Sequence, residues 1–90
     1  MVTAGDIDVQ ARVLRHADHR RLVIVWSSKA GIEGRSEASL DGEAARILYQ
    51  FWLRDMPASH YRFTATIFNA TDHVVARDEE WILALGEEEL

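Results

Sequence analysis

The segment 41–56, DGEAARILYQFWLRDM, constrains the fold of this chain of 90 residues more than any other. Its pattern predicts the one long helix of the protein. Asp41 is a good N-cap, because its carboxylate can accept hydrogen bonds from the free N–H groups of the first turn. Glu43 suits the positive end of the helix dipole. Pro57 pushes the residue before it out of the α region, so we expect the helix to end near Met56.

This helix would be more apolar than an ordinary surface helix. Its apolar arc spans roughly 240°, whereas a stripe of about 100° covers a core. One flank suffices to cover a sheet, and the second flank consists of Tyr49, Trp52, Leu53 and Met56. Either a curved sheet or the C-terminal segment covers this second flank, or it forms the interface with another protein. Aromatic residues and Met are enriched at interfaces, so the second alternative predicts a protein partner and a homodimer.

The composition describes a single soluble domain, residues 1–90, with residues 1–5 and 87–90 expected to fray. Apolar residues make up 48% of the chain and charged residues 28%, as in ordinary globular proteins. There is no cysteine, which fits a reducing compartment and predicts a cytoplasmic protein. No N-terminal leader is evident, and the longest apolar runs have five residues, so no membrane span is expected.

The net charge of −5 argues against general affinity for nucleic acids, which depends on neutralising phosphates. The charge is uneven, however. A basic patch is predicted near the first turn, made of Arg12, Arg15, Arg20 and Arg21. Acidic residues gather near the end of the chain. Nucleic-acid binding through the basic patch therefore stays as the weakest of three functional hypotheses.

The first half of the chain has the pattern of strands. Residues 7–13 alternate between apolar and polar, as in a half-buried strand. Residues 21–28, RLVIVWSS, form a β-branched and aromatic run typical of a central strand. Residues 29–31 fit a three-residue hairpin loop with Gly31 in the left-handed conformation. The resulting register places Trp26 opposite Gly34, which leaves room for the indole ring.

The second half contains a strand at 61–68 and a turn at 69–72. A hairpin over this turn places Phe63 opposite Asp78, a poor match that predicts weaker pairing near that point. Residues 78–85 fit either a short helix, with an acidic first turn and a terminal Gly, or a strand that resumes after a bulge. The cluster of Trp, Ile and Leu favours the strand.

Together these elements predict an α+β fold. Its antiparallel sheet has four or five strands in the order β-β-β-α-β-β, with the long helix packed on one face.

No motif for catalysis or for a cofactor is present, and no cofactor is expected. His16 and His19, with Asp18 between them, could supply metal ligands, but no third ligand is identifiable and no metal site is predicted. Among the carboxylates, Asp78 is the one candidate for an acid in an apolar setting. A misplaced register or a helix cap explains it better.

The favoured function is a small non-catalytic protein-binding module, that is, an accessory, regulatory or inhibitor protein. The alternative is a ligand-binding domain or enzyme with an aromatic pocket between helix and sheet. That pocket would be lined by Trp26, Phe51 and Phe63, with Trp52 beside them.

Overall fold

The computed structural model describes residues 3–14, 18–40 and 45–84, which form six strands and no helix. The strands are β1 (Thr3–Leu14), β2 (Arg21–Ser28), β3 (Glu33–Ser39), β4 (Arg46–Pro57), β5 (Ser59–Phe68) and β6 (Val74–Ala84). All pairings are antiparallel. One sheet has two strands in the order β1-β4, and the other has four in the order β3-β2-β5-β6. Accordingly, no described residue belongs to a helix that could cross a membrane.

The prediction of an α+β fold with a long helix is wrong, because residues 46–57 form strand β4. Apolar residues lie on both sides of this segment, so they fit a period of 3.6 and a period of 2 equally well. Pairing with β1, from Ile7↔Leu53 to Leu14↔Arg46, selects the strand. Pro57 ends this strand instead of a helix. The expected N-terminus of the helix, residues 41–44, lies outside the described residues.

The β2–β3 hairpin forms in the predicted register. Trp26 pairs with Gly34, and Leu22 with Ala38. Gly31 has a φ of 86°, the left-handed conformation that a residue without a Cβ adopts at little cost. Strand β2 also pairs with β5 on its other side, so it is a central strand of the larger sheet.

Strand β6 runs through the ambiguous segment, so the interpretation of residues 78–84 as a strand is confirmed. The weaker pairing and the bulge expected near Asp78 are wrong, because β6 pairs regularly with β5 from Ala76 to Ala84. Its predicted register is two residues out. Phe63 pairs with Glu80, and Asp78 pairs with Ala65. Two changes near the turn cause the shift. The loop between Phe68 and Val74 has five residues instead of four, and a bulge follows, because Ile67 pairs with Ala76. A shift of two residues leaves Ala76 and Asp78 on their predicted face, whereas Val74, expected opposite Ile67, pairs with Phe68 on the other face.

The core lies between the two sheets. Val9 and Val13 of β1 meet Leu22, Ile24 and Trp26 of β2, together with Tyr61 and Phe63 of β5. The rings of Trp26 and Phe51 are 5.5 Å apart between centroids. The hydroxyls of Tyr49 in β4 and Ser36 in β3 are hydrogen-bonded to each other. Strand β4 therefore lies over β2 and β3, and the smaller sheet covers only part of the larger one.

Candidate functional site

The residues predicted to form an interface do not share one surface. Tyr49 and Leu53 are half-buried and pack against the core, and Met56 is buried. Trp52 points to the opposite side, with 48% of its surface exposed. Because side chains alternate along a strand, residues that would share one helix flank are divided between two faces. These four residues therefore do not form the single apolar surface that was expected on a helix.

The surroundings of Trp52 are mostly polar. Its cross-strand partner is Asp8, and the guanidinium carbon of Arg54 lies 5.4 Å from its ring centroid. Asp8 also accepts a hydrogen bond of 2.8 Å from the side chain of Gln50. A single exposed apolar residue among such partners is normal for a protein surface.

The aromatic residues predicted to line a pocket pack against one another in the core. Trp26 lies between Phe51, at 5.5 Å, and Phe63, at 6.4 Å, measured between ring centroids. Trp26 and Phe63 are buried, and Phe51 is half-buried. The three residues thus meet as predicted from the sequence, and their contact is that of a packed core.

The members of the predicted basic patch lie on different elements. Arg12 is exposed on β1, and Arg20 is exposed just before β2. Arg21 is paired with Glu37 at 3.0 Å and with Asp72 at 3.2 Å. Arg15 lies outside the described residues. The described part of the patch therefore offers no continuous stripe for a phosphate backbone.

Of the two histidines of the first turn, His19 is among the described residues. His19 is buried, with its Nε2 3.9 Å from the Oδ1 of Asp18, and His16 lies outside the described residues. Among the described residues, no group of three or more potential ligands is arranged to hold a metal ion.

A groove lies on the open side of the sandwich, between β1 and β6. It has a volume of about 520 Å³. Its floor is part of the core and comprises Leu22, Ile24, Phe63, Ala65 and Ile67. One wall is β1, with Val9, Ala11 and Val13, and the other is β6, with Ala76, Asp78, Glu80 and Ile82. We call this feature the β1–β6 groove.

The groove exists because the smaller sheet has too few strands to cover the larger one. Strand β1 pairs with β4 on one side, and no described strand pairs with its other edge. Strand β6 is likewise an edge strand, bonded to β5 alone among the described strands. Unpaired N–H and C=O groups along such edges are a template for another strand.

Two carboxylates of β6 lie on the wall of this groove. Asp78 and Glu80 alternate with Glu79, so they face the same side of the sheet as Ala65 and Phe63, their cross-strand partners. Both are exposed because no described strand covers β6 there. The position of Glu80 on this face was not predicted from the sequence. The alternation Ala76, Asp78, Glu80, Ile82 was the available signal, since it places two carboxylates on an apolar face.

Comparison with known proteins adds no relationship to this geometry. No family model, no curated protein and no solved structure matches the chain.

Proposed function

We propose that this protein is a non-catalytic protein-binding module that takes up an extended segment of a partner in the β1–β6 groove. The observation that carries the proposal is that one groove combines an apolar floor with two unpaired strand edges. An extended segment that adds to a sheet edge gains main-chain hydrogen bonds, and pockets for alternate side chains give specificity.

The free edge of β1 is the better template. A segment paired there becomes a third strand of the smaller sheet and lies above β5 and β6. It would then cover apolar side chains that have no cover now, including the half-buried Ala65, Ile67 and Ile82. Burying apolar surface at roughly 25 cal/mol per Å² favours this arrangement.

A small-molecule site is less well supported by the same groove. Ligand sites enclose most of the ligand surface, whereas Ala76, Asp78 and Glu80 of the β6 wall are exposed. An opening that follows two strand edges suits a polypeptide better than a compact ligand.

The test uses a defined probe, because the natural partner is unidentified. The probe is the blocked peptide Val-Thr-Gln-Thr-Gln-Thr-Val, whose length is typical of a strand. It is titrated into isotope-labelled protein and followed by NMR shifts and amide hydrogen exchange. We expect the backbone amides of β1 and the side chains of the groove to respond, and the outward-facing residues of β2 and β3 to stay unchanged.

Two tryptophan substitutions on the same strand provide the control. Ala76→Trp places a large ring in the groove and should weaken binding at least about tenfold. Glu79→Trp places the same ring on the opposite face and should leave the affinity within about twofold. Circular dichroism establishes that both variants are folded. Absence of binding at millimolar peptide, or equal effects of the two substitutions, would rule out the groove as a strand-binding site.

A homodimer is the version of this proposal in which the partner is a second copy of the chain. Sedimentation of the protein without peptide tests it directly. Self-association that Ala76→Trp abolishes and Glu79→Trp leaves intact would identify the second copy as the occupant. If the protein is a monomer at every concentration, the partner is a different protein.

A further inference from the structure

We infer that the β1–β6 groove selects a partner segment that carries basic side chains, Lys or Arg, at alternate positions, flanked by apolar residues. This inference rests on the proposed function, and it names the chemistry of the occupant. Its basis is the acidic pair, Asp78 and Glu80, on the wall of a groove whose floor is apolar.

The inward face of β6 has an ordered composition. From the turn onward it presents Ala76, then Asp78 and Glu80, then Ile82, each two residues apart. Successive residues on one face of a strand are separated by about 6.6–6.8 Å. A strand lying above this row has the same spacing between its inward side chains. Two basic residues at alternate positions can therefore each approach one carboxylate, while apolar neighbours meet Ala76 and Ile82.

Arg12 and Arg77 are also among the residues that line the groove, but neither is paired with Asp78 or Glu80. Arg77 points to the other face, where it donates to Glu79 at 3.4 Å. Arg12 belongs to the exposed, outward-facing set of β1, and its cross-strand partner is Leu48. Among the described residues, no ion pair involves Asp78 or Glu80. The carboxylate of Asp78 accepts a hydrogen bond of 3.0 Å from the backbone N–H of Glu79.

The charge of the whole chain acts in the same direction. A net charge of −5 attracts a basic segment during encounter and repels a second acidic copy. A second copy offering its own β6 would also bring like carboxylates towards the acidic pair, which destabilises a cross-strand contact. The acidic pair therefore favours a basic segment of a different protein.

Inward-pointing charges also protect exposed sheet edges from unwanted pairing. Protection of the edge and recognition of a basic segment predict different results. A protective role requires only that the charge keeps other strands away, so a basic peptide would bind no better than a neutral one. A recognition role requires a preference for the basic peptide that depends on these two carboxylates.

The experiment compares three blocked peptides that differ at two positions only: Val-Thr-Lys-Thr-Lys-Thr-Val, its Gln analogue and its Glu analogue. We expect the Lys peptide to bind about tenfold more tightly than the Gln peptide at low salt, the size of effect that two partly exposed ion pairs allow. The Glu peptide should bind more weakly than both. The preference for Lys should shrink as salt is raised, because salt screens exposed charges.

The matched variants are Asp78→Asn with Glu80→Gln, and Glu79→Gln as the control on the opposite face. The double variant should bind the Lys and Gln peptides equally, and the control should keep the full preference. If the Lys and Gln peptides bind the unmodified protein equally well, the groove still binds strands but the inferred selectivity is wrong. If neither peptide binds, both proposals are wrong. A preference that survives in the double variant would also overturn the inference.

Discussion

Trp26 packs its indole ring directly against the backbone of Gly34, its cross-strand partner in the β2–β3 hairpin. A Cβ atom at Gly34 would overlap with atoms of the six-membered ring and with Nε1. The same ring contacts Phe51 from the smaller sheet. Trp26 therefore connects Gly34 of the larger sheet with Phe51 of the smaller one.

The first prediction is that Gly34→Ala lowers the free energy of unfolding by about 1–3 kcal/mol, the usual range for an overpacked core. Urea unfolding followed by circular dichroism measures the change. In a Trp26→Phe background the smaller ring leaves room, so the cost of Gly34→Ala should fall. Arg35→Ala, at an exposed neighbouring position, should change stability by no more than about 0.5 kcal/mol. An equal cost of Gly34→Ala in both backgrounds would contradict the steric explanation.

The second prediction separates the strand β4 from the helix that its sequence suggests. Leu53→Glu places a charge against the core and should unfold the protein or cost more than about 2 kcal/mol. Trp52→Glu changes a side chain on the outward face and should leave the fold intact. Thermal unfolding of the two variants gives the comparison. Similar losses from both substitutions would show that the two residues share a buried face, as on a helix.

The third prediction concerns acid stability at the bulge where β1 and β4 change register. Asp6 accepts a hydrogen bond of 2.6 Å from Arg54 and one of 3.1 Å from the backbone N–H of Asp55. Asp55 has a φ of 52° there. The hydrogen bond from Arg54, with that from the Asp55 backbone, lowers the pKa of Asp6.

A lowered pKa means that Asp6 contributes stability above its unfolded pKa, about 3.9, and loses it as the pH falls through the folded value. Asp6→Asn should therefore be less stable than the unmodified protein at pH 7, and the difference should shrink below about pH 4. Arg54→Gln should show the same dependence. Unfolding midpoints measured from pH 2 to pH 7 test this, and a difference that is constant over that range would contradict it.

The fourth prediction concerns alkaline stability at Tyr61, which is fully buried. Its hydroxyl donates a hydrogen bond to the carbonyl of Pro57, at the crossing from β4 to β5. Burial raises the pKa of Tyr61 above its usual value. The folded state thus holds this proton more tightly than the unfolded chain, and stability is lost as the pH rises above about 10.

Tyr61→Phe should cost about 0.5–1.5 kcal/mol at neutral pH through the lost hydrogen bond. The variant should also lose less stability than the unmodified protein when the pH is raised above 10. Tyr49→Phe keeps Tyr61 and should therefore keep the alkaline loss. Urea unfolding at a series of alkaline pH values measures the free energy of unfolding of each protein. If it falls equally with pH in all three proteins, the alkaline loss does not come from Tyr61.

Local interactions explain which parts of the fold could be predicted. The β2–β3 hairpin was predicted with its register because the turn is short, Gly31 fits its left-handed position, and large residues face small ones, as Trp26 faces Gly34. The face of Ala76 and Asp78 in β6 was also predicted correctly. The register of β6 was not, because a loop one residue longer than expected and a bulge beside Phe68 each shift the pairing by one residue.

The sequence alone was enough to predict several strands, the register of the β2–β3 hairpin and the apolar face on which Asp78 lies. The strand at residues 46–57 and the β1–β6 groove could not be predicted in this way. Both depend on pairings between distant segments, such as Val9↔Phe51 and Ile24↔Ala65. A segment with apolar residues on both sides fits the period of a helix and that of a strand. The strand with which it pairs therefore determines its conformation. The groove, in turn, results from how many strands each sheet acquires, which no local pattern records.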